Sequence, residues 1–271
     1  MKSPWKRYLL AWIFVLLSVA ALFLLIRERS RVSVLKMDSC EQAEFREQCL
    51  SPQLYTQLKK LEKKGESISD LLTVTMLDGG FYPERLSRDK SLYLKYKREE
   101  FFLLRSCYEA IWSDLVYFPI PGGGDISYED SWLAPREYGG DRLHEGTDLF
   151  GLVETSGYYP VISMTDGTVE KVGWLPLGGY RIGIRAPHGG YFYYAHLSSY
   201  DRDFSRGEQV EAGDILGYMG NTGYGPEGTM GQFPVHLHLG IYIRTPSVDE
   251  LSVNPYWILK SLEKSIRRYT Y

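Results

Sequence analysis

The chain has 271 residues and a formal net charge of −3. That length allows one medium domain with an appendage, or two small domains. A charge so close to balance excludes nucleic acid as the expected partner. The 22 tyrosines and 27 glycines favour a β-rich, turn-rich domain, and tyrosine-lined grooves suit polar polymers such as peptides or glycans.

Tyr8 to Ile26 is an uninterrupted apolar run without charge, long enough as a helix to cross a hydrocarbon core. Ser18-Val19-Ala20 resembles a signal-peptide cleavage site, but the apolar run continues past it, so residues 1–31 are expected to be a short tip and an uncleaved transmembrane anchor. Lys2, Lys6 and Arg7 precede the run, while Arg27, Arg29, Arg31 and Lys36 follow it, so charge alone leaves the orientation open.

Residues 32–118 read as a helical juxtamembrane region. Ser51-Pro52 is a cap followed by proline at the first helical position, with Leu54, Leu58 and Leu61 on one face. A second helix starts at Ser67 or Ser69 and stops at Gly79-Gly80. A third begins near Ser87 and carries the stripe Phe101, Leu104, Tyr108, Ile111 and Leu115. The three could form a small bundle. A stalk, a dimerisation surface for an unknown protein partner and an inhibitory pro-segment would share this pattern, and the run Lys95 to Glu100 reads as a solvated face. Were residues 40–49 one helix, Cys40 and Cys49 would lie out of reach of each other, so any disulfide must involve Cys107.

Pro119 to Gly124 is a composition break that opens a third region, residues 119–271. Short apolar runs at Tyr159–Met164, Thr168–Val172, Ile182–Ala186 and Tyr191–Ala195 are punctuated by Asp166-Gly167, Gly178-Gly179 and Gly189-Gly190. This is the grammar of antiparallel β hairpins. From Asn254-Pro255 to Tyr271 a cap and a short amphipathic helix are expected.

Within this β region Val235 to Ile243 alternates as a strand, so His236 and His238 share one face while Leu237 and Leu239 point into a core. Upstream, His144 and Asp148 stand four residues apart and would also share a strand face, with Glu145 on the other. Gly146 and Thr147 disfavour the helix that a His-Glu-x-x-His zincin motif requires, so Glu145 is not expected to be a base. Two imidazoles and one carboxylate make the ligand set of a catalytic zinc. His196 ends another predicted strand and could face the same groove. His188 is read as a solvated hairpin tip, Tyr194 as core, and Asn221 as a turn residue.

Leu143 to Asp148, Thr165 to Val169, Tyr194 to Leu197, Val210 to Gly217, Gly220 to Gly223, His236 to His238 and Val253 to Pro255 together resemble the LytM/lysostaphin-type zinc endopeptidases. The resemblance covers residues 139–259. It implies a mainly β C-terminal domain of the duplicated hybrid type, in which an antiparallel sheet floors a long groove. It further implies Zn2+ held by His144, Asp148 and His238, with His196 and His236 as catalytic histidines. The implied substrate is a peptide bond in bacterial peptidoglycan stems or cross-bridges, which places the domain on the extracytoplasmic side of the cell membrane. A catalytically silent relative, acting as a scaffold or activator of wall enzymes or in sporulation, is the alternative; so is a peptidase restrained by residues 37–118 or by the loop from Tyr224 to Val235. The segment from Tyr224 to Val235 is longer than the family's usual link and is expected to wall the groove, so substrate preference cannot be inherited.

Overall fold

The computed structural model describes residues 4–122, 125–137 and 141–268. Lys2, Gly123, Gly124 and the last residues of the tail lie outside that description. Helix α1 spans Pro4–Val32, and its stretch from Tyr8 to Val32 is long and apolar enough to cross a membrane, with the apolar run from Tyr8 to Ile26 exposed throughout. Only its last turns join the protein: Glu28 and Arg31 bond to Tyr96 and Asp78, and Val32, with Leu35 just beyond, is buried in the core.

Next come α2 (Ala43–Arg46), α3 (Pro52–Glu62), α4 (Ile68–Asp78), α5 (Ser91–Tyr96) and α6 (Arg98–Trp112). The serine caps form as the sequence suggests. Ser51 Oγ accepts from the Leu54 amide and Ser67 Oγ from the Asp70 amide, satisfying donors that a helix start leaves orphaned. The third expected helix is two, because Lys97 adopts φ −144° and ψ 46° and interrupts it; the stripe from Phe101 to Leu115 is buried. Residues 40–49 do not form one helix either. Cys40 sits in a 3₁₀ turn, and its thiol is hydrogen-bonded to Cys107 inside the core. The run Lys95 to Glu100 is less solvated than expected, since Lys95 and the Tyr96 hydroxyl both reach Glu28 of α1.

The β region contains β1 (Ile126–Ser127), β2 (Pro135–Arg136), β3 (Arg142–Leu143), β4 (Thr147–Gly151), β5 (Pro160–Ile162), β6 (Gly167–Leu175), β7 (Gly179–Arg185), β8 (Tyr191–Tyr200), β9 (Gln209–Val210), β10 (Ile215–Met219), β11 (Leu237–Ile243) and β12 (Leu251–Val253). The main path runs β1-β4-β11-β8-β7-β6-β9, with β10 joining β8 to β5 and β12 pairing with β11. All these pairings are antiparallel, so the sheet is built from hairpins, as the glycine punctuation predicts.

One face of the sheet carries Leu237, Leu239, Ile241, Phe192, Tyr194, Ile182 and Ile184, all fully buried. Helix α6 packs on this face. Trp112 Nε1 donates to Gln48 Oε1 at 2.7 Å within the helical layer, and two side-chain hydrogen bonds stitch that layer to the sheet, Arg46 Nε to the Ser252 carbonyl at 2.9 Å and Asn254 Nδ2 to Glu47 at 3.0 Å. His188 is at a hairpin tip, as expected, but is not merely solvated, because its ring lies 2.7 Å from Asp114. Helical layer, sheet and the short C-terminal helix α7 (Tyr256–Leu262) thus share one apolar core.

Candidate metal centre and groove

The face of the sheet turned away from α6 is the floor of a cleft of about 770 Å³. Three donor atoms converge in it. His144 Nε2 lies 3.0 Å from Asp148 Oδ1 and 2.9 Å from His238 Nδ1, and His238 Nδ1 lies 3.0 Å from Asp148 Oδ1. Asp148 on β4 and His238 on β11 are register partners across neighbouring strands, which fixes their separation. His144 is not in a strand, contrary to the reasoning that placed it four residues along one face from Asp148. It stands in the short link between β3 and β4, and the chain bends at Gly146 to bring it back.

Gly146 is required there. A Cβ would stand 2.6 Å from His238 Cε1 and 2.6 Å from the Leu239 carbonyl oxygen, closer than side-chain carbons pack.

The donors fit a cation. His144 Nδ1 lies 3.0 Å from both the Ser131 carbonyl and Arg136 Nη2; with the ring proton on Nδ1, donated to the carbonyl, the Nε2 lone pair faces the Asp148 oxygen. Two lone pairs at hydrogen-bond distance with no proton between them are repulsive unless a positive ion fills the centre. Oxygen and nitrogen ligands about 2.0–2.1 Å from a tetrahedral zinc stand ~3.3 Å apart, close to the spacing found. Burial alone would raise the Asp148 carboxyl, but its contacts with His144 and His238 outweigh this and hold it far below the ordinary carboxylate range. Arg136 Nη2 donates to Asp148 Oδ2 at 2.7 Å, holding the second carboxylate oxygen.

Two further imidazoles border the cluster. His236 precedes β11 and is held by an isolated bridge to Gly220; its Nε2 lies 3.7 Å from Asp148 Oδ1. His196 lies within β8, which continues to Tyr200 rather than ending near it. By strict alternation it would follow Tyr194 into the core face two residues on. Instead a register shift between β7 and β8 and a left-handed φ of 62° turn it into the groove. The rings of His196 and His236 are 4.8 Å apart. Each donates Nδ1–H to a backbone carbonyl at 2.8 Å, Thr222 for His196 and Pro234 for His236, so each presents an unprotonated Nε2. Burial depresses the basicity of both rings, most strongly for His196.

The segment from Tyr224 to Val235 does line the cleft. Phe233 packs at 4.6 Å from the His196 ring and 5.2 Å from His236, and Tyr224 closes on Phe233 at 4.7 Å. Asn221 has the turn role expected of it, donating to the Phe233 carbonyl at 3.2 Å. Tyr194 is core, its hydroxyl accepting from the Met164 amide. Glu145 is exposed and outside the donor cluster. Ser131, Arg136, Tyr193 and Phe233 went unremarked in the sequence. Only Tyr193 had a readable signal, sharing strand parity with the groove-facing Tyr191.

This sheet, with two imidazoles and a carboxylate focused on one point of its groove, is that of a metallopeptidase fold. Residues 142–255 match the model of Peptidase family M23, and the chain belongs to that family. A crystal structure from Ruminococcus gnavus, described as a glycyl-glycine endopeptidase LytM, is 43% identical and superposes with a TM-score of 0.73 over 87% of this chain and 96% of that one. Residues 119–271 are little more than half of the chain, so that match takes in the helical layer too. The L-Ala–D-Glu endopeptidase of Bacillus subtilis is 43% identical over 149 residues, 54% of this chain and 44% of that protein. Lysostaphin of Staphylococcus simulans is 36% identical over 84 residues, 30% of this chain and 16% of that protein. The chain thus spans less than half the length of either of these two relatives.

Proposed function

We propose that the chain is a membrane-anchored, zinc-dependent endopeptidase that hydrolyses peptide bonds in bacterial peptidoglycan. The observation that carries this reading is the convergence of the His144, Asp148 and His238 donor atoms, 2.9–3.0 Å apart, beside two imidazoles that each offer a free Nε2. His144, Asp148 and His238 hold the metal. Bound zinc supplies Lewis acidity, polarising a carbonyl and lowering the pKa of a water to about 7.

The chain's own residues do the rest. His236, whose Nε2 is 3.7 Å from the ligand carboxylate, is the base that takes the proton of the attacking water and passes it to the leaving amine. His196, whose ring lies 4.8 Å from that of His236, presents a second Nε2 lone pair, which accepts a hydrogen bond from the attacking water and orients it. The backbone carbonyls of Thr222 and Pro234 keep both rings in the tautomer this requires. Phe233 shields both rings from water on the loop side. Helix α1 spans the cytoplasmic membrane, with residues 32–271 outside, where peptidoglycan lies.

Full-length protein in detergent is to be incubated with purified peptidoglycan, with and without chelator, and the released fragments analysed by mass. New amine termini that vanish with chelator support the reading and identify the bond. Absence of release from several wall types sinks it.

A further inference from the structure

Among the described residues four cationic side chains line the cleft, and three are engaged. Arg136 is bound to Asp148, Lys171 to Glu250, and Arg142 donates to the Tyr224 hydroxyl at 2.9 Å. Arg181 on β7 is the exception. Its Nε and Nη1 are buried and have no hydrogen-bond partner, and among the described residues no carboxylate lies within ion-pair reach of it. Among the described residues it does not stack on an aromatic ring as Arg185 does on Tyr191.

A guanidinium with two sealed, unsatisfied N–H groups is expensive to keep, because the donors have lost water and gained nothing. Arg185, two strand-parity positions away, shows the ordinary solution: its guanidinium pairs with Glu170 through both Nε and Nη2. The fork of Arg181 lies instead on the groove side, beside Tyr191 and Tyr193, with no protein acid to meet it. A planar fork of this kind is complementary to a carboxylate.

Its place relative to the donor cluster follows from the register. Tyr180 pairs with Leu197 and Ile182 with Tyr194, so Arg181 lies opposite the Ala195–His196 bulge of β8, and Ala195 in turn pairs with His238 on β11. Arg181 and His238 are therefore two strands apart, about 10 Å at the usual spacing. An extended peptide covers that distance in about three residues.

We propose that Arg181 is a substrate-binding residue for a free carboxylate, and that this groove selects acidic stem peptides carrying that carboxylate within about three residues of the scissile bond. A neutral glycine cross-bridge offers nothing to the fork. The proposal rests on the peptidase reading above and narrows its substrate class.

The test uses full-length, metal-loaded protein in detergent and two synthetic stem peptides that differ only in one group, a free α-carboxylate or its carboxamide at the acidic residue. Cleavage rate and equilibrium binding are both measured for wild type, Arg181→Gln and Arg181→Lys. Wild type is expected to favour the carboxylate by about 10- to 100-fold in kcat/KM and in affinity, as for loss of one charged hydrogen bond. Arg181→Gln should erase that preference by losing the carboxylate peptide alone, and Arg181→Lys should restore part of it. Equal loss of both peptides in Arg181→Gln, or an undiminished preference, overturns the proposal. If wild type binds the carboxylate peptide selectively without cleaving it, the peptidase reading fails and the carboxylate site stands.

Discussion

The backbone of Gly146 lies against the ring of His238, and the space between them is too small for a methyl group: a Cβ at 146 would stand 2.7 Å from His238 Nε2. One atom of that methyl would also meet the Leu239 carbonyl, which is part of β11 and cannot swing aside. Gly146→Ala should therefore displace His238 from Asp148 without removing any ligand or catalytic side chain. Zinc affinity is expected to fall about 10- to 100-fold, the usual cost of disturbing a residue that orients a ligand. Titration against a competing chelator measures it; unchanged affinity would show that the ring is not held by this contact.

His144→Ala and His236→Ala should part company. The first removes a donor and is expected to abolish both bound zinc and turnover. The second leaves the three donors intact and is expected to retain zinc while losing about 100- to 10,000-fold in rate, the range for a missing proton carrier. Metal content by elemental analysis beside peptidoglycan release reads both. An active His144→Ala protein without metal would end the zinc assignment.

Burial holds the His196 ring below its ordinary value of 6.5. The sign follows from proton counting: just below 6.5 the unfolded chain takes up a proton that the folded ring refuses. The ring's contribution to stability is therefore complete above about 6.5 and is lost as pH falls, at no more than about 1.4 kcal/mol per pH unit for one proton. Melting in chelator should drop between pH 7 and pH 5, and His196→Gln should flatten part of that slope. An identical slope in the variant would place the titrating group elsewhere.

Trp112 Nε1 meets Gln48 Oε1 at 2.7 Å inside the helical layer, where neither residue is more than 1% exposed. Trp112→Phe leaves that oxygen without its donor and the site underfilled. Global stability should fall by about 1–3 kcal/mol for the orphaned group, with more for the cavity. Denaturant unfolding followed by fluorescence of the sheet tyrosines checks this, and the cleft geometry should be unaffected.

The readable parts of the molecule were those governed by local periodicity. The alternation around Leu237 to Ile243 showed a strand with one apolar face, and Ser51-Pro52 showed a helix start, because both follow from side-chain direction along a single element. What escaped depended on partners far along the chain. The break at Lys97 interrupts a run whose apolar spacing is continuous, so periodicity could not reveal it. His196 enters the groove only through a bulge fixed by β7, and His144 only through the bend at Gly146; in both cases the strand rule pointed to the right side chains for an incomplete reason. Arg136 and Ser131 support the donor cluster through contacts that no spacing in the sequence announces.

The last turn of α1 runs into the core at Val32 and Leu35 without an intervening flexible segment, and Arg31 is bound to Asp78 of α4 at 2.6 Å. Were α1 inserted in a bilayer, the protein would stand on a mast rather than swing from a tether. Its groove would patrol a layer at fixed height above the lipid, reaching only peptides that the wall presents at that height, so position as well as sequence would decide what is cut.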